Sequence, residues 1–333
     1  MLVVDQEYVE RLKKEQKKKP RLSTLYGMDR IFRLVYKIPF YIPVAQCCLL
    51  EHGVNFQFSL FFERLKSSKN ELIFLDNSHR VNEFEKQTEN QAYAIGPLYP
   101  KYRRFKNIVP KLDRKGTLAF PSHSSSQFDF SEGYSKYAED LKKLPDEFQP
   151  VTICLYYYDI LQGHHQTFTD AGFTVITNGY VGDAGFVDRL YDHISSFQYI
   201  TSNHTGSYSF YALEMGIPFF LYGDDIDNQL LKFGTLNGID MGKYLEEDFL
   251  KNFTANLNFD LNNPVTVTSQ LKECIAYIQD ENNQLDPLIV QKLVKRNWWK
   301  LILKKGLSYL NGRNVFYLWK SIITDMMSLK YIL

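Results

Sequence analysis

"SNHTGSYSFYALEMGIPFFLYG", residues 202–223, sets a small polar turn before a helix-length stretch, then Gly-x-Pro, then a burst of apolar β-formers. A helix is predicted over 208–215, ended by Gly216 in a left-handed turn and barred from continuing by Pro218, and 219–222 reads as a buried strand. Ser207 or Ser209 is placed to cap that helix. The unpaired N–H groups of its first turn, reinforced by the macrodipole, make an anion site that suits a diphosphate. By itself the stretch fits an ordinary capped helix of an α/β sheet equally well.

Outward from it the same rhythm recurs. Apolar runs at 41–50, 72–75 and 92–95 end in Glu51-His52-Gly53, Asp76-Asn77-Ser78-His79 and Gly96-Pro97. After a charged break at 109–116, runs at 117–120, 151–158, 173–177 and 197–201 lead into polar turns, among them "PSHSSS" at 121–126 and Asn178-Gly179. Short continuous apolar runs separated by helices mark parallel strands covered on both faces, with ligand-binding turns beyond their carboxyl ends. The expected fold is therefore α/β, with two Rossmann-like domains facing a cleft and C-terminal helices. The first, acceptor-side domain is expected over 1–112 and the second, nucleotide-binding domain over 113–288. Residues 289–333 are expected as basic aromatic helices that pack back on the first domain, lie on a membrane, or both.

Composition narrows the function. The 333 residues are enough for two cores. With 39 Lys and Arg against 38 Asp and Glu there is no global attraction to nucleic acid, and none is expected as a partner. The cysteines Cys47, Cys48, Cys154 and Cys274 show no Cys-x-x-Cys spacing, which suits buried thiols in a reducing compartment without disulfides or zinc. No secretion signal and no apolar run of about 18 residues is visible, so a cytoplasmic location is expected. Residues 289–333 nevertheless hold nine Lys and Arg with Asp325 as the one acid, and carry Trp298, Trp299, Phe316, Tyr317 and Trp319. That pattern resembles interfacial helices, and with Lys13, Lys14, Lys17, Lys18, Lys19 and Arg21 it suits an anionic membrane surface.

Two motifs carry a family resemblance. The order of polar turn, helix, Ala212-x-x-x-Gly216-x-Pro218 and buried strand resembles the donor-binding segment of glycosyltransferases with the GT-B fold. Leu50-Glu51-His52-Gly53-Val54 is similar to the His-Gly element of CDP-glycerol glycerophosphotransferases, in which the histidine is the proposed base. "NSH" at 77–79, "AIGP" at 94–97 and "FPSHS" at 120–124 fall in the same order as the loops of those enzymes, so that residues 44–223 carry the likeness. It implies a metal-independent GT-B-like transferase of bacterial surface-polysaccharide assembly, capsule or lipopolysaccharide. Such an enzyme takes a nucleotide-sugar donor as substrate, uses no cofactor, and serves a glycan or lipid-linked acceptor at the inner face of the membrane. Tyr211 stands where many retaining members have a glutamate, and Glu214 follows three residues later. This favours the sialyl-, Kdo- and polyol-phosphate-transferase branch, and so a CMP or CDP donor ahead of UDP.

The chemistry asks for a base to take the acceptor proton and for stabilisation of the leaving phosphate. A histidine titrating near neutrality meets the first need, and His52 is the first candidate, with Glu51 to orient it and His123 as the alternative. For nucleotide and phosphate the candidates are Ser122, Ser124, Asn178, Gly179, Ser202, Asn203, His204, Thr205, Gly206, Ser207 and Glu214. Asp224, Asp225 and Asp227 are read as a solvated loop, and His164-His165 as a surface turn. Tyr156-Tyr157-Tyr158 is read as alternating strand residues in the core. A sugar-nucleotide epimerase or hydrolase of the same shape, or a non-catalytic scaffold that keeps the fold, fits much of this pattern too.

Overall fold

A computed structural model of the chain describes residues 1–17, 20–54, 72–224, 226–232, 235–236, 239–241, 248–257 and 269–310. Two parallel sheets organise it. The first joins β1 (Cys48–Leu50), β2 (Leu72–Leu75) and β3 (Ala92–Ala94) in the order β1-β2-β3. The second joins β4 (Thr117–Ala119), β5 (Val151–Cys154), β6 (Thr174–Ile176), β7 (Tyr199–Ser202) and β8 (Phe219–Leu221) in the order β6-β5-β4-β7-β8. Helices Tyr134–Lys142, Phe186–Ser196 and Ser207–Glu214 fill three of its crossovers, and Tyr157–Leu161 with His165–Asp170 fill the fourth. The chain starts in the middle of this sheet, runs outward to β6 and then returns to β7. The order reverses between β4 and β7, and that switch point opens a crevice beyond the carboxyl ends of the strands.

Apolar packing joins the two sheets. Phe74, Ile95 and Tyr99 from the first half share one buried cluster with Ile200, Phe210, Tyr211 and Phe219 from the second. The chain termini cross over as well. Val3 bridges Ile176 at the edge of β6, and helix Gln6–Glu15 buries Tyr8, Val9 and Leu12 against the core that holds Ile153 and Val175. Helix Pro287–Leu310 instead packs on the first sheet, with Val290 and Val294 fully buried and Asn297 Nδ2 donating to Cys47 O at 2.5 Å. Over the described residues the expected pair of closing helices is one continuous helix, and residues 311–333 lie outside them, as do Lys18, Lys19 and Asp225. No helix among the described residues is long and apolar enough to cross a membrane.

Two expected strands are shorter than their apolar runs. Of the 41–50 run only Cys48–Leu50 is strand, because Val44–Cys47 takes one helical turn after Pro43. The 151–158 run leaves the sheet at Cys154, level with the last residue of its neighbour β6, and Tyr157 already begins a helix. Tyr156, Tyr157 and Tyr158 therefore do not alternate across a strand. That correction matters for the site.

Candidate functional site

A cavity of about 470 Å³ lies where the carboxyl ends of the two sheets meet. From the first sheet it receives the loop after β1, His52, Gly53 and Val54. From the second it receives Ser122 and His123 after β4, Leu155 and Tyr156 after β5, Thr177 to Gly179 after β6, and His204 to Tyr208 after β7. No Lys, Arg, Asp or Glu lines it among the described residues, so its polar groups are histidines, hydroxyls, an amide and backbone.

The turn after β7 is built by its own side chains. Ser202 Oγ accepts from His204 N at 3.1 Å and lies 2.8 Å from Tyr208 Oη, which donates to His204 O at 3.0 Å. The helix cap is Gly206, extended at φ −141°, rather than either serine. A Cβ there would lie 2.6 Å from the Tyr208 ring, so any other residue would push that ring aside. Ser207 thus enters the first turn and its hydroxyl reaches the other lobe, accepting from Val54 N at 2.9 Å and donating to Val54 O at 3.3 Å. Ser209 turns back to Gly206 O at 2.6 Å. Gly53, at φ +78°, would bring a Cβ to 3.0 Å from Ser207 Oγ. The His-Gly loop and the anion turn are therefore pressed together through one hydroxyl.

Other candidates hold the loops together, and of these Ser122 and Thr205 also line the cavity. Asn203 Oδ1 accepts from Ser122 N and Ser122 Oγ, both at 2.9 Å, tying the β7 loop to the β4 loop. Thr205 lines the cavity and pairs with Thr254 at 3.1 Å. Ser124 N donates to the buried Asp159 carboxylate at 3.2 Å, which also accepts from Tyr134 Oη at 2.8 Å and lies 3.2 Å from His164 Nδ1. His164 is thus half-buried against a carboxylate instead of lying in a free surface turn.

Both expected carboxylates are engaged elsewhere. Glu51, fully buried at its side chain, takes Arg80 Nε at 2.9 Å and forms a second contact with Arg80 Nη2, so its carboxylate ties the end of β1 to the helix after β2 and does not orient the His52 ring. Adjacent residues of an extended segment point to opposite faces, which is why Glu51 and His52 part company. Glu214 accepts from Arg103 at 2.5 and 2.9 Å and does not line the cavity. In its place Tyr211 lines the wall, stacked on Tyr99 with centroids 5.1 Å apart.

Two tyrosines link the candidate histidines. The Tyr26 ring lies 5.0 Å from His52, its hydroxyl 3.2 Å from that of Tyr156, and the Tyr156 ring 4.2 Å from His123. Burial pushes the Tyr26 hydroxyl up to about 12, and Tyr156 moves the same way, so both stay protonated at neutral pH. The cavity walls hold the His123 ring below its ordinary pKa by desolvation, against the attraction of Asp159. Tyr26 adopts φ +57°, an uncommon conformation for a bulky residue, held by Tyr26 N donating to Val181 O at 2.5 Å and Tyr99 Oη donating to Tyr26 O at 2.9 Å. Neither tyrosine was among the expected site residues. Tyr156 would follow from the strand-end rule once β5 is stopped at Cys154, whereas nothing around Tyr26 in the sequence marks it.

Among the described residues no group of three or more His, Cys, Asp or Glu is gathered to hold a metal ion. No protein-family model matches the chain, and no curated protein sequence matches it. Solved structures with a similar chain path include the wall teichoic acid polymerase TagF, at 14% identity and TM-score 0.37, covering 72% of this chain and 61% of that one. The UDP-GlcNAc 2-epimerase from Neisseria meningitidis is similar at 11% identity and TM-score 0.37, over 77% of this chain and 70% of that one. TarM from S. aureus, solved with UDP among its ligands, is similar at 10% identity and TM-score 0.32, over 84% and 50%. The chain thus spans about 61% of the length of TagF.

Proposed function

We propose that the chain is a GT-B-like glycosyltransferase, moving a sugar or polyol phosphate from a nucleotide donor to a glycan or lipid-linked acceptor. The observation that carries this reading is the bond from Val54 N to Ser207 Oγ at 2.9 Å, which sets the loop of His52 directly against a helix N-terminus. A proton acceptor and an anion site then share one cavity. His52 takes the proton of the acceptor hydroxyl as its oxygen bonds to the anomeric carbon, or to phosphorus for a polyol phosphate. The bond to the nucleotide phosphate breaks with its electron pair, and the charge that grows on the phosphate meets the N–H groups and dipole of helix Ser207–Glu214. His204 and Thr205 complete that turn. With no cation lining the described wall, His123 and His204 offer N–H donors to the phosphates, and the transfer runs without metal.

A cytidine nucleotide is preferred and the reaction belongs to capsule or lipopolysaccharide assembly at the inner membrane face. Exposed Trp299 and Leu303 lie one turn apart among Lys292, Lys295, Arg296 and Lys300, and this surface supports contact with anionic lipid. The lack of charged residues along the described lining favours a second reading, a scaffold that binds no nucleotide. Calorimetry with CMP, CDP and UDP decides between them. Heat of binding from any of the three supports the transferase, and none from all three favours the scaffold.

A further inference from the structure

The turn after β6 is held from one helix face. On helix Phe186–Ser196, Arg189 and His193 are four residues apart and both grip Asn178. Arg189 Nε donates to Asn178 O at 2.8 Å, and His193 Nδ1 lies 2.8 Å from Asn178 Oδ1. Gly179, at φ +94°, makes room, since a Cβ there would stand 2.7 Å from the Arg189 guanidinium. His193 is 1% exposed and does not line the cavity, whereas Asn178 does.

The tautomer follows from the other ring nitrogen. His193 Nε2 is buried without a hydrogen-bond partner among the described residues. A buried orphan N–H is rarer in proteins than a buried orphan acceptor, so Nε2 is bare and the proton sits on Nδ1. His193 then donates to Asn178 Oδ1, and the amide cannot flip. Its oxygen is turned into the protein and Nδ2, which has no partner among the described residues, is presented at the cavity wall.

Position in the sheet says which part of a ligand reaches it. The anion turn follows β7 and Asn178 follows β6, three strands away in the order β6-β5-β4-β7, or about 14 Å at ordinary strand spacing. An extended nucleoside diphosphate whose phosphates lie at the β7 turn has its base at that distance. The wall there is apolar and aromatic, with Tyr156, Phe186 and Leu190 beside Asn178. We infer that Asn178 reads a hydrogen-bond acceptor on the edge of the donor's nucleobase through Nδ2, and that His193 is the positioning residue that fixes the amide for that reading. The inference rests on the nucleotide reading above.

Calorimetry on the full chain with CDP, UDP and inorganic pyrophosphate tests it. Asn178→Asp keeps an acceptor for His193 but removes the Nδ2 donor. It is expected to weaken the preferred nucleoside diphosphate by about three- to tenfold and to leave pyrophosphate unchanged. His193→Leu should lose about as much, His193→Asn should restore binding because its amide N–H can replace Nδ1–H, and the Asn178→Asp/His193→Leu pair should be no worse than either single change. Nucleotide affinity unchanged in Asn178→Asp overturns the inference, as does a folded His193→Asn that binds no better than His193→Leu. A wild-type chain that binds pyrophosphate but neither nucleotide overturns it too. Binding of none of the three probes overturns the nucleotide reading first and this inference with it.

Discussion

The two rims of the cavity are built on opposite principles. The first sheet offers one short loop, His52 to Val54, and stiffens it from below with a buried ion pair between Glu51 and Arg80. The second offers four loops held by neutral hydrogen bonds: Asn203 ties the β7 loop to Ser122 of the β4 loop, Ser202 and Tyr208 close the β7 turn on itself, and His193 of the following helix holds Asn178. A rim of many cross-linked donors is suited to holding an extended polar ligand. One braced loop is suited to delivering a single reactive group. Contact between them includes Ser207, the Tyr26–Tyr156 hydroxyl pair and the Tyr99–Tyr211 stack.

The sharpest break between the rims is expected at His52. His52→Ala should lower kcat by roughly two to four orders of magnitude with donor affinity and melting temperature nearly unchanged, the pattern of a group used in the transition state. Full transfer activity in this variant would move the base to His123. Next comes the brace. Arg80→Ala strands the Glu51 carboxylate in the interior, at a cost of about 3–5 kcal/mol, read as a large drop in melting temperature. A melting temperature within a degree of wild type would show that the loop needs no such support.

On the second rim, pH is the probe. Burial lowers His193 from its ordinary value to about 4, with Asp192 opposing and Arg189 and Lys111 adding to the effect. The unfolded chain therefore binds a proton near pH 6.5 that the folded chain refuses until about pH 4, so stability is full above pH 6.5 and falls as pH drops through that window. The loss approaches roughly 3 kcal/mol at the acid end, and His193→Asn should flatten that slope in urea titrations at pH 7 and pH 4.5. An unchanged slope would assign the acid sensitivity to other groups.

Smaller effects test the seam and the outer surface. His204→Ala with Ser207→Ala should weaken nucleotide binding by about 1–3 kcal/mol, and because Ser207 bonds Val54, Ser207→Ala alone should also raise KM for the acceptor. Equal nucleotide affinity in the double variant would leave the turn a plain helix cap. For the membrane surface, Lys295→Glu with Lys300→Glu should reduce binding to phosphatidylglycerol vesicles by about 1 kcal/mol per residue while the chain stays folded. Undiminished vesicle binding would assign any lipid contact to another face.

The sequence was legible where chemistry repeats locally. Apolar runs of four residues located β2 and the start of β5, and Gly216 and Pro218 located the end of the helix after β7, with Gly216 found at φ +74°. The turns beyond those strands, read as ligand loops, do line one cavity through His52, Ser122, His123, Asn178, Gly179, His204, Thr205, Gly206 and Ser207. Local signals of this kind depend only on backbone sterics and on burial of both sheet faces, which neighbouring residues encode by themselves. What a side chain meets across the fold is not encoded that way. Glu51 and Glu214 are polar residues at the right places in the chain, and only distant Arg80 and Arg103 take them out of the cavity. Tyr26 enters the site from 130 positions before Tyr156, and His193 meets Asn178 from a helix position that does not itself line the cavity. Those pairings are long-range contacts, fixed by how the two sheets and their crossovers pack, and no stretch of the sequence contains both partners.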